Sequence, residues 1–252
     1  MKGIFFIVGA QRCGTTWLYQ ILDQHPEIEM AKPMRPEIKF FLNSHLFKQG
    51  TDFYLKKYFS NPAEKILGEK GTSYIEHQDA GKRINDHFPN AKIIIILRNP
   101  VKRALSNYFF SVMNGLETRT PEEVFLKNST PPKIETNTSV DPFNYLGRGE
   151  YKPYIEKYIE IFGQEKIQIY CLEKISSAIS ELQKVYHFLG ATKNFEPVNF
   201  DNNVNTTEGV YPVSPEVIRK LQRYYREKND LLNDYVDTSC WSQQFTEVEP
   251  NN

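Results

Sequence analysis

An apolar run, Ile4-Phe5-Phe6-Ile7-Val8, enters a glycine-flanked turn, Gly9-Ala10-Gln11-Arg12-Cys13-Gly14, and leaves it as Thr15-Thr16-Trp17-Leu18; this order constrains the fold more than any other stretch of the chain. The run has the length and branching of a strand buried on both faces, and Trp17, Leu18, Ile21 and Leu22 then recur at helical spacing. Glycine removes the Cβ where backbone N–H groups must converge, and the free N–H groups of a helix start carry partial positive charge. A strand, a turn of this kind and a helix therefore make a seat for a phosphate or sulfate. The spacing Gly9-x4-Gly14-Thr15-Thr16 is close to that of a nucleotide-binding P-loop, yet Thr15 stands where such a loop carries its lysine. A basic residue sits inside the loop instead, Arg12, which points to an anion with a different layout of charge.

Further along, residues 66–70 (Ile-Leu-Gly-Glu-Lys), 92–97 (Lys-Ile-Ile-Ile-Ile-Leu) and 166–172 (Lys-Ile-Gln-Ile-Tyr-Cys-Leu) read as core strands. Helices are expected over 101–115, 151–162, 179–189 and 215–235, the last opened by Ser214 as N-cap and Pro215 at the first helical position. Buried strands alternating with helices predict an α/β fold: a single domain over residues 1–241, with a central, mostly parallel, P-loop-like sheet and helices on both faces. Residues 242–252 read as a fraying tail. In such sheets ligands lie beyond the carboxyl ends of the strands, which sets the loops after Val8, Lys70 and Leu97 on one rim. The polar stretches 127–144 and 191–212 read as loops, the first a candidate lid.

Lys and Arg total 31, as do Asp and Glu, so no global field recommends nucleic acid or an anionic membrane as partner, and an anion site must be local. Cys13, Cys171 and Cys240 are odd in number and far apart, which fits a reducing compartment and no disulfide framework. Cys13 reads as a small filler in the loop. The five histidines show no metal spacing, so no metal is expected. The N-terminal apolar run is shorter than the roughly 7–15 residues of a secretory core, and the expected location is cytoplasmic.

A second anion site lies after residues 92–97. Arg98, at a strand end ahead of Asn99-Pro100, presents a planar fork suited to phosphate, and Ser106 lies two turns into the following helix, where its hydroxyl can reach the same anion. Together, Gln11-Arg12-Cys13-Gly14-Thr15-Thr16-Trp17, Arg98-Asn99-Pro100 and Ser106 resemble the sulfotransferases that use 3′-phosphoadenosine 5′-phosphosulfate, most closely the branch holding the heparan sulfate N- and 3-O-sulfotransferase domains and their bacterial relatives. The resemblance runs from Ile4 to about Trp241. It implies that Gln11, Arg12, Cys13, Gly14, Thr15 and Thr16 wrap the 5′-phosphosulfate, with Arg12 where the family usually has lysine, and that Arg98 and Ser106 hold the 3′-phosphate.

The segment Pro36-Glu37-Ile38-Lys39-Phe40-Phe41 looks like the one whose glutamate removes the acceptor proton, which makes Glu37 the implied general base. Glu69-Lys70-Gly71-Thr72-Ser73-Tyr74 is similar to a Lys-Ser-Pro-Ser-Tyr loop of the family, with Gly71-Thr72 departing from it, and implies that Lys70 faces the sulfuryl group or the acceptor. A late cofactor loop falls at residues 205–212, where Gly209, Val210 and Tyr211 match but the family's basic residue is missing and Glu208 stands nearby. The histidine that some relatives place after Ser106 is also absent, leaving His45 as the alternative base. The implied activity moves a sulfuryl group to a hydroxyl or amine of a small-molecule or carbohydrate acceptor, shaped by loops at 30–50 and 110–150. A P-loop-type kinase and a non-catalytic nucleotide-binding module are the alternatives; the absence of lysine at position 15 weighs against the first, and Glu37 against the second.

Overall fold

Among the described residues five strands, β1 (Gly3–Gly9), β2 (Ile28–Met30), β3 (Ile66–Lys70), β4 (Lys92–Leu97) and β5 (Ile167–Cys171), form one sheet in the order β2-β3-β1-β4-β5. Every neighbouring pair is parallel. The structure is a computed structural model and describes residues 1–133, 141–200 and 212–242. From β1 the chain passes to β3 and β2 on one side, then returns to β4 and β5 on the other, so a topological switch point lies between β1 and β4. Bonds extend the pairing of β1 on both flanks: Ala10 N donates to Ile96 O at 2.9 Å on the β4 side, and Gly71 N donates to Ile7 O at 3.1 Å on the β3 side.

The strands are apolar runs because both faces are covered. Residues of both parities in β1 and β4 are buried, from Phe5 to Val8 and from Ile93 to Leu97. Around the sheet run α1 (Thr15–Asp23), α2 (Ser44–Phe47), α3 (Gly50–Tyr58), α4 (Ala80–His87), α5 (Pro100–Met113) and α6 (Pro121–Phe125). They are followed by α7 (Tyr151–Phe162), α8 (Leu172–Ile175), α9 (Ile179–Leu189), α10 (Pro215–Lys228) and α11 (Ser239–Ser242). Among the described residues no helix is long and apolar enough to cross a membrane.

Local chemistry sets the helix starts. Asn99 Oδ1 accepts from the N–H groups of Val101 and Lys102 at 3.1 and 3.2 Å, with Pro100 inside the first turn of α5. Ser214 caps α10 in the same way ahead of Pro215. The expected helix over 215–235 stops at Lys228, because the Asn229 side chain is committed elsewhere, accepting from Tyr151 N at 2.9 Å and donating to Gly149 O at 2.8 Å, and Leu231 turns left-handed at φ 63°. Strand β2 was not anticipated. Its three residues carry no readable period and are strand only because they pair with β3.

Two hydrophobic clusters form among the described residues. The large one surrounds the sheet. The small one joins Ala104, Tyr108 and Phe109 of α5 to Val124 and Phe125 of α6 and Leu221 of α10.

Candidate active site

Gly14 makes the β1 loop. Its φ of 79° is left-handed, and a Cβ there would stand 2.3 Å from Leu172 Cδ1, so conformation and space both demand glycine. Inside the loop Cys13 N donates back to Ala10 O at 3.3 Å, and the Cys13 thiol points into the core, 3.7 Å from the Tyr151 hydroxyl. Burial pushes that thiol up to about 11, so it stays protonated and packs as a small apolar group, as the sequence suggests. The first helical bond of α1 is Leu18 N to Gly14 O at 3.0 Å, which leaves the N–H groups of Thr15, Thr16 and Trp17 with no intrahelical acceptor. Such groups are ready donors to an anion.

Arg12 and the β4 end meet over this loop. Arg12 Nε donates to Ser106 Oγ at 3.2 Å, its guanidinium lies 4.6 Å over the Phe110 ring, and Arg98 Nη1 donates to Arg12 O at 3.4 Å. Burial, and then the nearby Arg98 cation, lower Arg12 to about 10, which still leaves it charged at neutral pH. Arg98 and Ser106, expected on the 3′-phosphate, thus both contact Arg12, expected on the phosphosulfate, although 86 positions separate Arg12 from Arg98. Gln11 Nε2 donates to Ser73 Oγ at 3.1 Å, tying the loop to the turn after β3.

At the β3 end, Lys70 is buried and its Nζ donates to Glu37 Oε1 at 2.9 Å and to Thr16 Oγ1 at 3.3 Å. Glu37 also accepts from Thr72 N at 3.0 Å and from Thr72 Oγ1 at 3.0 Å. The carboxylate is thereby fixed against the start of α1.

Gln11, Arg12, Thr15, Thr16, Glu37 and Lys70 line a cavity of about 680 Å³, a size suited to a small-molecule ligand. Its far wall is one face of α5, with Asn107, Phe110 and Ser111 at helical spacing and Asn114 at the C-cap. Arg98 and Ser106 stand off this wall and reach it through Arg12. His45 is exposed and does not line it. Gly209, Val210 and Tyr211 lie outside the described residues. No cluster of His, Cys, Asp or Glu suited to a metal occurs among the described residues.

Sequence reasoning missed Arg148. Its guanidinium is buried at the cavity edge, where Nε donates to the Glu76 carboxylate at 2.9 Å, Nη1 to Asn107 Oδ1 at 3.0 Å and Nη2 to Asp141 O at 2.7 Å. The one cue was an arginine set between Gly147 and Gly149; its partners come from distant segments.

A parallel sheet with a glycine-made anion loop at its switch point, and a carboxylate paired to a cation beside it, defines a P-loop-like α/β domain built for an anionic ligand. Matching narrows this class. The family model described as the sulfotransferase domain fits residues 3–208, and the chain belongs to that family. It is 29% identical over 252 residues to mouse heparan sulfate glucosamine 3-O-sulfotransferase 5, covering 88% of this chain and 69% of that protein. The crystal structure of a sulfotransferase from Alicyclobacillus acidocaldarius superposes with a TM-score of 0.72 at 25% identity, over 94% of this chain and 98% of that one. A mouse sulfotransferase complexed with PAP shares the fold, with a TM-score of 0.59 at 15% identity over 97% of this chain and 88% of that one. The chain is a sulfotransferase dependent on 3′-phosphoadenosine 5′-phosphosulfate.

Proposed function

We propose that this cavity binds the donor with its phosphosulfate on the β1 loop, and that Glu37 removes the proton of an acceptor hydroxyl or amine as the transfer proceeds. The acceptorless N–H groups of Thr15, Thr16 and Trp17, with Arg12, fit the phosphosulfate, and Arg98 with Ser106 fits the 3′-phosphate. When bound, the donor supplies a sulfuryl group on a phosphate leaving group. Glu37 takes the proton while the acceptor oxygen or nitrogen bonds to sulfur and the bond from sulfur to the bridging phosphate oxygen breaks. Lys70 and Arg12 then face the negative charge that grows on the departing phosphate. The observation that carries this reading is the contact of Lys70 with both Glu37 and Thr16, which sets a carboxylate and a cation at the mouth of the anion loop.

The acceptor is a small molecule or a carbohydrate. Phe110 and Met113 are 43% and 62% exposed on the α5 wall, so one side of the acceptor meets apolar surface. Calorimetry with 3′-phosphoadenosine 5′-phosphate and with ADP tests the nucleotide half of the proposal, because ADP lacks the 3′-phosphate that Arg98 and Ser106 would hold. Much tighter binding of the first is expected; equal affinities would sink the assignment. An acceptor screen read by mass, seeking an added sulfuryl group, tests the other half.

A further inference from the structure

Glu69 precedes Lys70 in β3, and the alternation of a strand sends the two side chains to opposite faces. Lys70 goes to the cavity; Glu69 goes into the core, where it is fully buried. A carboxylate in such a place needs partners of its own. It has two. The Tyr54 hydroxyl of α3 donates to Oε2 at 2.5 Å, and the Tyr74 hydroxyl donates to Oε1. Both tyrosines are themselves fully buried.

Those hydroxyls belong to the two pieces of chain that hold Glu37. Tyr74 closes the turn after β3, its N–H donating to Gly71 O at 2.9 Å, and the same turn presents the two Thr72 donors to the Glu37 carboxylate. Glu37 itself continues into Phe40 and Phe41, whose rings pack on Tyr54 at 4.8 and 5.5 Å, while Phe41 also meets Tyr74 at 5.9 Å. Aromatic packing alone sets the ring contacts without fixing the direction of a hydroxyl. A charged or polar acceptor between two phenols fixes where each hydroxyl points, and with it the separation of the two segments.

We propose that Glu69 is a positioning residue for sulfuryl transfer: through Tyr54 and Tyr74 it holds the Glu37 segment in register with the Thr72 turn and Lys70. This inference rests on the reading of Glu37 as the base. Because it acts through Glu37, its effect must vanish when Glu37 no longer works.

The test is a double-mutant cycle on the full chain, with active enzyme counted by titration with 3′-phosphoadenosine 5′-phosphate. Glu69→Gln, nearly isosteric, is expected to lower kcat by about 10- to 100-fold, the scale of a small misplacement of a reacting group, while nucleotide affinity and acceptor KM stay within about two-fold. Added to Glu37→Gln, the same change should alter kcat by less than about two-fold. Tyr74→Phe, which removes one clamp hydroxyl and keeps the ring, is the second variant and should show the same pattern. Equal losses in both backgrounds, or wild-type kcat in either folded variant, would overturn the proposal. If Glu37→Gln keeps full turnover, both the base assignment and this inference fall; if only the Glu69 and Tyr74 variants stay active, the base assignment stands and the inference alone falls.

Discussion

The two strand ends that meet at the cavity are built by opposite means. The loop after β1 is shaped by backbone: a left-handed Gly14, a turn bond from Cys13 N to Ala10 O, and a helix start whose first N–H groups have no intrahelical acceptor. The end of β3 is shaped by side chains, with Lys70, Glu37 and Thr72 bonded to one another and Glu69 anchoring the chain behind them. Backbone sites depend on a few irreplaceable conformations. Side-chain sites depend on distant segments arriving together, and they can be altered one functional group at a time. Substitutions on the two sides should therefore fail differently, in activity at β3 and in stability at β1.

The largest effect is expected at the β3 end. Glu37→Gln keeps shape and hydrogen bonding but removes the basic carboxylate, so turnover should fall by about 10²- to 10⁴-fold with nucleotide affinity unchanged. Single-turnover assays at saturating donor read this directly, and wild-type rates would move the base elsewhere. Next comes the charged side chain that the β1 loop sends into the cavity. Arg12→Ala should lower turnover by about 10²-fold, the scale of one preorganised donor to a developing negative charge, with a melting temperature close to that of the wild type. A normal rate would mean that the backbone does all the work on that side.

Gly14→Ala probes the backbone itself. A left-handed alanine together with the overlap on Leu172 should destabilise the fold by about 1–3 kcal/mol in denaturant titration. The companion Gly14→Ala/Leu172→Ala variant relieves the overlap but not the dihedral, so it separates the two causes. Full recovery in the double variant would show that the left-handed angle contributes nothing.

The smallest effect is in pH. Burial raises the Glu69 carboxyl from its ordinary 4.5 to about 7, a rise opposed by the Tyr54 and Tyr74 hydroxyls and aided slightly by Glu37. Between those values the folded chain holds a proton that the unfolded chain has released. This increment of stability is complete below 4.5 and lost as pH rises through 7. The melting temperature of the wild type relative to Glu69→Gln should accordingly decline between about pH 5 and 8. Parallel curves for the two proteins would remove the effect.

What the sequence disclosed follows the same division. The β1 strand, its glycine turn and α1 are contiguous, so local rules suffice, and the Asn99-Pro100 and Ser214-Pro215 helix starts are legible for the same reason. Thirty-three positions separate Glu37 from Lys70, and only family resemblance linked them; no periodicity does. Arg148 was invisible because its partners, Glu76, Asn107 and Asp141, come from three other segments. Strand β2 depends on pairing rather than on pattern, and the end of α10 on what Asn229 bonds across the fold. Local covalent order was readable; tertiary convergence was not.

The small cluster around α5, α6 and α10 bears on how the cavity can change. One face of α5 walls the cavity, while the opposite face is rooted in that cluster and not in the core around the sheet. The cavity is therefore a seam between two separately packed clusters, like the gap between two jaws, tied across by the contacts of Arg12 with Ser106 and Phe110. The jaw that carries the anion loop, Glu37 and Lys70 is set by the sheet. The other takes its place from packing among residues such as Val124, Leu221 and Tyr225, none of which lines the cavity. A change of volume in that remote core would therefore reach the acceptor wall and, through Ser106 and Phe110, the Arg12 side chain as well.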